Sequence, residues 1–348
     1  MSEYTLSQIK NNDARGRRAM ESLLIKEGIS LDGNLDYSLG LFDEDYHLVA
    51  TGSSFKNTLR CMAVDSAHQG EGLLNQVVSA LIEHQHDIGN HDLFLYTKVN
   101  SAKFFGDLGF YEIARVDGLL VFMENRRDAF PNYLKSLSQF SCGGRCGAVV
   151  ANANPFTLGH RYLIETASAL VDRLFVFVVS EDASLFPSNV RLELVRRGCA
   201  DLENVTVIPS GDYIISSATF PSYFLKDKDL VIDTHARLDT AVFARIAACL
   251  GIGVRFFGEE PKSLVTARYN ACMKDMLPSY GIEAVEIPRK CRPDGEIISA
   301  STVRELIKEG NLNAVRAMVP SSTYEYIISD AAAPVISALR ASEDVRHY

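Results

Sequence analysis

The sequence has no apolar run long enough to cross a membrane, and its first ten residues lack the apolar core of a signal peptide. Its net charge is −9, which argues against the basic surface of a general nucleic-acid-binding protein. The seven cysteines are scattered, and the close pair Cys142 and Cys146 has no second pair or histidine partner to complete a zinc site. These absences predict a cytoplasmic protein with reduced thiols that has no metal-ligand set and binds neither nucleic acid nor membrane.

The length of the chain, 348 residues, is enough for two domains of ordinary size. Hydrophobic residues make up 47% of the sequence and charged residues 23%, so two buried cores are possible. Small and polar residues collect at 136–145, between two regions of regular pattern. We therefore predict a first domain at 1–135, a linker at 136–145 and a second domain at 146–348.

A strand, a tight turn and a helix are predicted at the start of the second domain. Residues 148–151 are apolar and partly β-branched, as in a buried parallel strand, and Asn154-Pro155 ends it because proline has no amide hydrogen. Apolar residues recur at helical spacing from Gly159 onward, so Thr157 and His160 share one face of the first turn. A helix start can hold a phosphate on its free amides, although a capped helix with a solvated histidine explains the same residues.

Strands and helices alternate through the rest of the second domain. Predicted strands cover 174–179, 205–208, 230–233 and 254–257, and predicted helices cover 189–200 and 238–250. This alternation predicts an open parallel sheet with helices on both faces. Ligands bind such sheets at the carboxyl ends of the strands, so 152–160, 180–182 and 258–260 are expected to converge there.

A further helix is predicted near the end of the chain, in the segment 297–307. Ser301 or Thr302 is expected to cap it and Gly310 to end it. Arg304 would then lie in the first turn, where a cation opposes the helix dipole, and loss of its charge would not destabilise the fold. A bound anion would explain the arginine, whereas capping alone is an equally good explanation of the serine and threonine.

The first domain alternates differently, with strands predicted at 36–41, 47–55, 60–64, 91–98 and 119–124. Helices are predicted within 1–35, as an amphipathic run ending near Gly28, after a glycine-bearing turn in the segment 65–77, and at 101–110. Two of its segments resemble the GCN5-related acetyltransferases. Gln69-Gly-Glu-Gly72 is similar to the start of that family's pyrophosphate loop, and the segment 100–110 is similar to its later Asn-x-x-Ala element. Leu74 departs from the pattern, which has a small residue there. The resemblance implies an acetyltransferase-like α+β fold, with Gln69, Gly70, Gly72 and Asn100 placed to hold a pyrophosphate-containing arm.

Two motifs of the second domain resemble the signatures of the nucleotidyltransferase superfamily, which has a Rossmann-like fold. These are Asn-Pro-Phe-Thr-Leu-Gly-His160 and Ile-Ser-Ala-Ser-Thr-Val-Arg304. The resemblance implies that His160, Thr157 and Arg304 are catalytic contacts to a nucleoside triphosphate. It also implies nucleotide contacts from Asn152, Asn154, Pro155, Phe156, Gly159, Gly258, Glu260, Ser299 and Ser301.

Longer segments resemble the citrate lyase ligase family, which also has an acetyltransferase-like first domain. They are 152–164, 184–187, 212–226 and 257–261. The resemblance implies that ATP and acetate form an acetyl-adenylate, with Mg²⁺ on the triphosphate. It also implies acetyl transfer to the thiol on the acyl carrier protein subunit of citrate lyase. Hydrogen-bond donors aimed at the phosphoryl oxygens suit this chemistry, because charge develops there in the transition state.

Two other functions are consistent with the same sequence. One is a small-molecule adenylyltransferase on the same core, and the other is an N-acetyltransferase or CoA-binding protein that depends on the first domain. Acetate-dependent AMP formation that requires a carrier thiol would separate the ligase from the adenylyltransferase. Consumption of acetyl-CoA without ATP would favour the acetyltransferase.

Overall fold

A computed structural model describes residues 4–181, 184–214, 220, 223, 228–261, 263–292 and 295–342. The chain forms two compact units, the first made of Met1–Tyr133 and Pro221–Ala241 and the second of Leu134–Phe220 and Val242–Tyr348. The first unit therefore includes a segment that sequence patterning assigned to the second domain. Helix α4, Ala129–Ser138, also covers the first residues of the segment predicted to be a linker.

The first unit is built on a seven-stranded sheet in the order β1-β2-β3-β4-β5-β7-β6. Its strands are β1 Thr5–Gln8, β2 Tyr37–Phe42, β3 Leu48–Phe55, β4 Thr58–Val64, β5 Phe94–Thr97, β6 Tyr111–Val116 and β7 Leu120–Glu124. Neighbouring strands are antiparallel except β4 and β5, which run parallel and pair only through Thr58 with Phe94 and Leu59 with Leu95. Beyond these two pairs the strands are not bonded to each other, so a gap opens towards their carboxyl ends.

Three helices of the first unit are α1 Ala14–Lys26, α2 Leu73–Asp87 and α3 Ala102–Asp107. Helix α2 buries Val77, Val78 and Leu81 against the sheet. The predicted α+β fold of the first domain is confirmed. The helix predicted in residues 1–35, with its amphipathic run ending near Gly28, is present as α1 but is shorter than predicted. Strand β1 precedes it, and Asp13 caps α1 by accepting from the amides of Arg15 and Gly16.

The second unit contains a five-stranded, all-parallel sheet in the order β10-β9-β8-β11-β12. Its strands are β8 Cys146–Ala151, β9 Arg173–Val178, β10 Val205–Pro209, β11 Ile252–Gly258 and β12 Glu283–Ile287. The predicted parallel sheet is confirmed. The strand order reverses between β8 and β11, which makes the carboxyl ends of these two strands the expected ligand crevice.

The helices that follow α4 in the chain are α5 Leu158–Ser168, α6 Ser188–Gly198, α7 Lys228–Leu250, α8 Leu264–Met276, α9 Ala300–Glu309, α10 Leu312–Arg316, α11 Ser321–Ile327 and α12 Ala333–Ala341. The strand predicted at 230–233 was wrong, because these residues lie in α7. Its Leu-Val-Ile run is too short for periodicity to distinguish a strand from a helix. No helix in the described part of the chain is long and apolar enough to span a membrane.

Candidate active site

The turn between β8 and α5 carries the first predicted motif. Thr157 is the N-cap of α5, and its Oγ1 accepts a hydrogen bond from the amide of His160 at 3.3 Å. The Nδ1 atom of His160 accepts in return from the amide of Thr157 at 3.2 Å. These reciprocal bonds form a capping box, with histidine in the place usually taken by glutamate. The helix is therefore capped by the motif residues themselves, as the alternative interpretation of these residues expected.

The surroundings of His160 fix its protonation state, and the capping box fixes its tautomer. Burial, followed by the charges of Arg289 and Arg304, lowers the pKa of His160 to about 4, so the ring is neutral at pH 7. A neutral imidazole has one N–H, and Nδ1 is an acceptor here, so Nε2 carries the proton. His160 therefore presents a donor at Nε2 that is ready for a phosphate oxygen and needs no change of charge.

The second motif is capped differently from the prediction. Ser299, and neither Ser301 nor Thr302, is the N-cap of α9, and its Oγ accepts from the amide of Thr302 at 3.1 Å. Its Oγ also lies 2.8 Å from Oγ1 of Thr302. Gly310 ends the helix in the left-handed conformation as predicted, with φ of 78°.

Arg304 consequently lies in the second turn of α9, not the first. Its side chain is buried, and its guanidinium donates to the carbonyl of Asn154 and, from Nη2, to Oγ of Ser301 at 3.3 Å. The arginine thus joins the start of α9 to the turn after β8. Its loss would leave a buried carbonyl without this donor, so the structure reverses the expectation that the fold is indifferent to it.

The starts of α5 and α9 touch at Gly159. A Cβ atom built on Gly159 would lie 2.7 Å from the backbone carbonyl oxygen of Ile298. This residue immediately precedes the cap of α9, and such a contact has no room for any side chain. Two helix N-termini, each with positive dipole character, are therefore adjacent next to His160.

This contact gives a first prediction, that Gly159→Ala forces the two helix starts apart. We expect a loss of unfolding free energy of about 1–3 kcal/mol, as for other overpacked sites. ATP-dependent turnover should fall by about 10²-fold because the phosphate donors are displaced. Gly253→Ala is the matched control, since no atom lies within 4 Å of its Cβ position. Equal denaturation midpoints and rates for both variants would contradict the contact.

Asn152 and Asn154 hold the loop after β9. The Nδ2 atom of Asn152 donates to Oγ of Ser184 at 3.0 Å, and Oδ1 of Asn154 accepts from the amide of Phe186 at 3.1 Å. These side chains thus join the turn after β8 to the segment 184–187. Asp182 and residues 215–219, 221–222 and 224–226 of the longer resemblance lie outside the described residues.

Behind this turn lies Arg191 of α6, a fully buried cation that sequence analysis missed. Its Nη1 atom donates to the carbonyl of Asn152 at 2.8 Å and to that of Val179 at 2.7 Å. Its Nε and Nη2 atoms reach the carbonyls of Phe186 at 2.9 Å and Glu181 at 2.6 Å. One guanidinium therefore ties the chain segments that leave β8 and β9.

Phe156 and Pro155 are buried, and Phe156 is fully enclosed in the core formed by the sheet, α5 and α6. Its ring centroid lies 6.1 Å from that of His160, with the two planes inclined by 20°. Both residues were predicted to contact nucleotide. Pro155 and Phe156 therefore lie on the buried side of His160, and the ring of Phe156 packs near the imidazole.

The loop after β11 holds a second residue that sequence analysis missed, Arg289. Its Nε atom donates to the carbonyl of Glu259 at 2.6 Å, and its Nη2 atom pairs with the carboxylate of Glu260. The other oxygen of Glu260 accepts from the amide of Ser263 at 3.1 Å. Gly258 lies beneath the arginine, with its Cβ position 3.7 Å from Nε. Gly258 and Glu260 were both predicted to contact nucleotide, and in the structure Glu260 orients the guanidinium of Arg289.

The first unit has a cavity of about 540 Å³ where β4 and β5 separate. Gly70 and Gly72 lie on its rim with φ of 90° and 76°, and nothing lies within 4 Å of their Cβ positions. Gly72 is the N-cap of α2 and supplies no side-chain bond, so the first amides of this 15-residue helix have no side-chain cap.

The other two residues predicted to hold an arm, Gln69 and Asn100, differ in their position relative to this cavity. Gln69 lines it, whereas Asn100 is exposed and lies outside its lining, which passes through Lys98 and Ser101. Leu74, the departure from the family pattern, lines it as well and packs partly against the core. Tyr223, from the segment 221–241, closes the lining and is buried.

Among the residues described by the structure, no three His, Cys, Asp or Glu side chains cluster in a way that could hold a metal ion. The charged groups that lower the pKa of His160 are the cations Arg289 and Arg304. The site is therefore built for an anion, although the whole chain carries a net charge of −9.

Residues 146–327 match the family model of the citrate lyase ligase C-terminal domain. The citrate (pro-3S)-lyase ligase of Klebsiella pneumoniae is 39% identical over 322 residues, which cover 91% of this chain and 94% of that protein. A phosphopantetheine adenylyltransferase of Streptococcus pneumoniae strain JJA is 29% identical over 185 residues, which cover 53% of this chain and 94% of that protein. A crystal structure of a GNAT-family acetyltransferase from Staphylococcus aureus Mu50 aligns with 36% of this chain and 100% of that chain, at 11% identity and a TM-score of 0.31.

Proposed function

We propose, from the premise that this chain belongs to the citrate lyase ligase family, that it uses ATP to join acetate to the carrier thiol of citrate lyase and so activates that enzyme. The observation that carries the chemistry is the contact of two helix N-termini beside a neutral histidine and two arginines. Such a site suits a polyphosphate, because free amides, dipoles and guanidinium groups all favour negative charge.

The reaction has two steps. A carboxylate oxygen of acetate attacks the α-phosphorus of ATP, the bond to the bridging oxygen breaks, and diphosphate leaves. The carrier thiol, as its thiolate, then attacks the acetyl carbon, and AMP leaves with the former carboxylate oxygen. Nε2 of His160 donates to phosphoryl oxygen in the first step, where charge develops. Thr157 fixes the tautomer and direction of His160, and Arg304 holds its positive charge against the same turn.

The proposed nucleotide contacts form two groups, residues at the two helix starts and residues that shape the turn between β8 and α5. The amide of Gly159 lies at the start of α5, where the amides of Leu158 and His160 already donate to the carbonyl of Met318 and to Oγ1 of Thr157. Ser299 and Ser301 lie at the start of α9. Asn152, Asn154, Pro155 and Phe156 shape the turn that carries them. Mg²⁺ enters with ATP, held mainly by phosphate oxygens, which fits a set of cationic protein donors. When bound, it neutralises charge on the triphosphate.

The direct test is incubation with ATP, acetate and the thiol form of the carrier subunit. We expect a mass gain of one acetyl group per carrier, with AMP and diphosphate formed in equal amounts. Omission of acetate or carrier should abolish AMP formation. The similarity to phosphopantetheine adenylyltransferase supports a second candidate, an adenylyltransferase. This candidate would be favoured if AMP became attached to a small phosphorylated acceptor and no acetylated carrier formed.

The first unit binds the CoA-like arm of the carrier in its 540 Å³ cavity and delivers the thiol, without taking acetyl from acetyl-CoA. The arm contains a pyrophosphate, and the uncapped start of α2 at Gly72 offers amides to such a group. The cavity also has aromatic walls, which include Tyr96, Phe104 and Phe105, suited to the apolar part of an arm.

A second prediction follows for Gly72→Asp in the full chain. A carboxylate at the start of α2 would compete with the pyrophosphate of the arm. We expect acetate-dependent exchange of labelled diphosphate into ATP to stay within twofold of wild type, which corresponds to about 0.4 kcal/mol of activation free energy. Carrier acetylation should fall by about tenfold or more at low carrier concentration, because an ionic contact becomes repulsive.

The matched control is Gly89→Asp, beyond the other end of α2. Gly89 also has a positive φ, 87°, and nothing within 4 Å of its Cβ position, so the backbone strain of the two variants is comparable. Equal carrier kinetics in the two variants would show that the arm does not bind in this cavity. Removal of the whole first domain is a weaker test, because residues 221–241 would lose the unit to which they belong.

A further inference from the structure

Two guanidinium groups act on His160, and they differ in what they can still bind. Arg304 is 2% exposed and donates to the carbonyl of Asn154 and to Ser301. The side chain of Arg289 is 31% exposed, and its hydrogen bonds to other described residues use only Nε and Nη2. Within the described part of the chain, Nη1 of Arg289 has no hydrogen-bond partner, so it keeps free donors.

The free donors of Arg289 have a fixed position. Nε is bonded to the carbonyl of Glu259 and Nη2 to the carboxylate of Glu260, so both acceptors come from the loop after β11. The Glu260 carboxylate is itself held by the amide of Ser263 at 3.1 Å. A planar guanidinium bonded along one side presents the rest of its fork in a set direction. Arg289 follows β12, so the fork lies at the carboxyl ends of β11 and β12.

We propose that Arg289 binds the triphosphate of ATP directly through Nη1, with Glu260 as its positioning residue. The inference rests on the proposed function for the identity of the nucleotide. The proximity of Arg289 to His160 supports it, since the arginine is the leading charge that lowers the pKa of that histidine. A free guanidinium next to a neutral N–H donor suits the oxygens of one polyphosphate.

The test measures ATP binding to the full-length protein by calorimetry, without acetate or carrier, and then measures diphosphate exchange. Arg289→Ala should weaken ATP binding or lower kcat/KM for ATP by about 10- to 100-fold, the usual range for one charge-assisted contact. Arg289→Lys keeps the charge but cannot hold both acceptors, so its loss should be smaller. Glu260→Gln should raise KM for ATP by a few-fold, since the fork remains but loses its fixed direction.

The matched controls come from an ion pair at the opposite end of β12, Arg145 with Glu283, whose Nη2–Oε2 distance is 2.7 Å. Arg145→Ala and Glu283→Gln should leave ATP binding and exchange within twofold. An NMR titration adds a readout that loss of packing alone would not change. The pKa of His160 should rise in Arg289→Ala, because a neighbouring positive charge is removed.

Wild-type ATP affinity and exchange in a folded Arg289→Ala protein would overturn the proposal. The same conclusion would follow if Arg145→Ala lost as much affinity as Arg289→Ala. Failure of the proposed function would look different. The wild-type protein would then bind ATP but give no acetylated carrier, while the comparison of Arg289 variants in ATP binding would still stand.

Discussion

His160→Ala should lower the turnover of ATP-dependent carrier acetylation by about 10²–10³, the usual cost of one donor to a transition-state oxygen. The structure gives the reason, since Nδ1 is occupied by the amide of Thr157 and the proton is on Nε2. The same loss should appear in diphosphate exchange, because the first chemical step is affected. Steady-state kinetics at saturating ATP and acetate would measure it.

The fold must be checked in parallel, because the histidine is also half of a capping box. Loss of that cap should cost about 0.5–2 kcal/mol of unfolding free energy, too little to unfold a typical domain. His91→Ala is a suitable control, since this exposed histidine lies in the first unit and has no place in the capping box. Unchanged turnover in a folded His160→Ala protein would remove His160 from the chemistry.

The pH dependence of stability offers a separate check on the neutral ring. In the unfolded chain the pKa of histidine is about 6.5. In the folded protein the pKa of His160 is lowered to about 4. The fold therefore loses the contribution of the neutral ring as pH falls from about 6.5 towards 4, and keeps all of it above that window. The His160→Ala variant should not show this part of the decline.

Arg191→Met should give the largest loss of stability, on the order of 3–5 kcal/mol of unfolding free energy, because each buried acceptor that loses its donor costs about 1–3 kcal/mol. The substitution keeps much of the side-chain volume but leaves several buried carbonyls without their donor, among them those of Asn152, Val179 and Phe186. Denaturant unfolding, with the midpoint and slope both fitted, would measure the loss.

The control for this variant lies on the same helix. Arg196 is an exposed arginine of α6, so Arg196→Met makes the same chemical change without a buried acceptor. We expect it to alter the unfolding free energy by no more than about 0.5 kcal/mol. A shift as small for Arg191→Met would mean that water or neighbouring donors replace the guanidinium.

Sequence analysis succeeded where the determining contacts are local. Thr157 and His160 are three residues apart, so their shared turn could be predicted from spacing, and the apolar strand at 148–151 predicted the sheet. The cap of α9 was misjudged by two or three positions, because Ser299, Ser301 and Thr302 are all good capping residues and spacing does not rank them. This error alone moved Arg304 from the second turn into the first.

Contacts between distant residues could not be predicted from the sequence. Arg289 and Glu260 are 29 positions apart, and neither belongs to a motif that demands the other. Arg191 looks like any helical arginine, and only the backbone carbonyls around it reveal why it is buried. In the same way, nothing in the pattern of 221–241 indicates that this segment belongs to the first unit.

The composition of the first unit also bears on how the protein is made. Its last segment ends at Ala241, so the ribosome must deliver more than two thirds of the 348 residues before this unit has all its parts. Most domains fold as units while the chain grows from its N-terminus. Here the first unit stays incomplete, with the Tyr223 side of its cavity absent, until residues 134–220 of the second unit have been synthesised. A nascent chain stalled before residue 221 should therefore be more protease-sensitive within residues 4–133 than one released after residue 241.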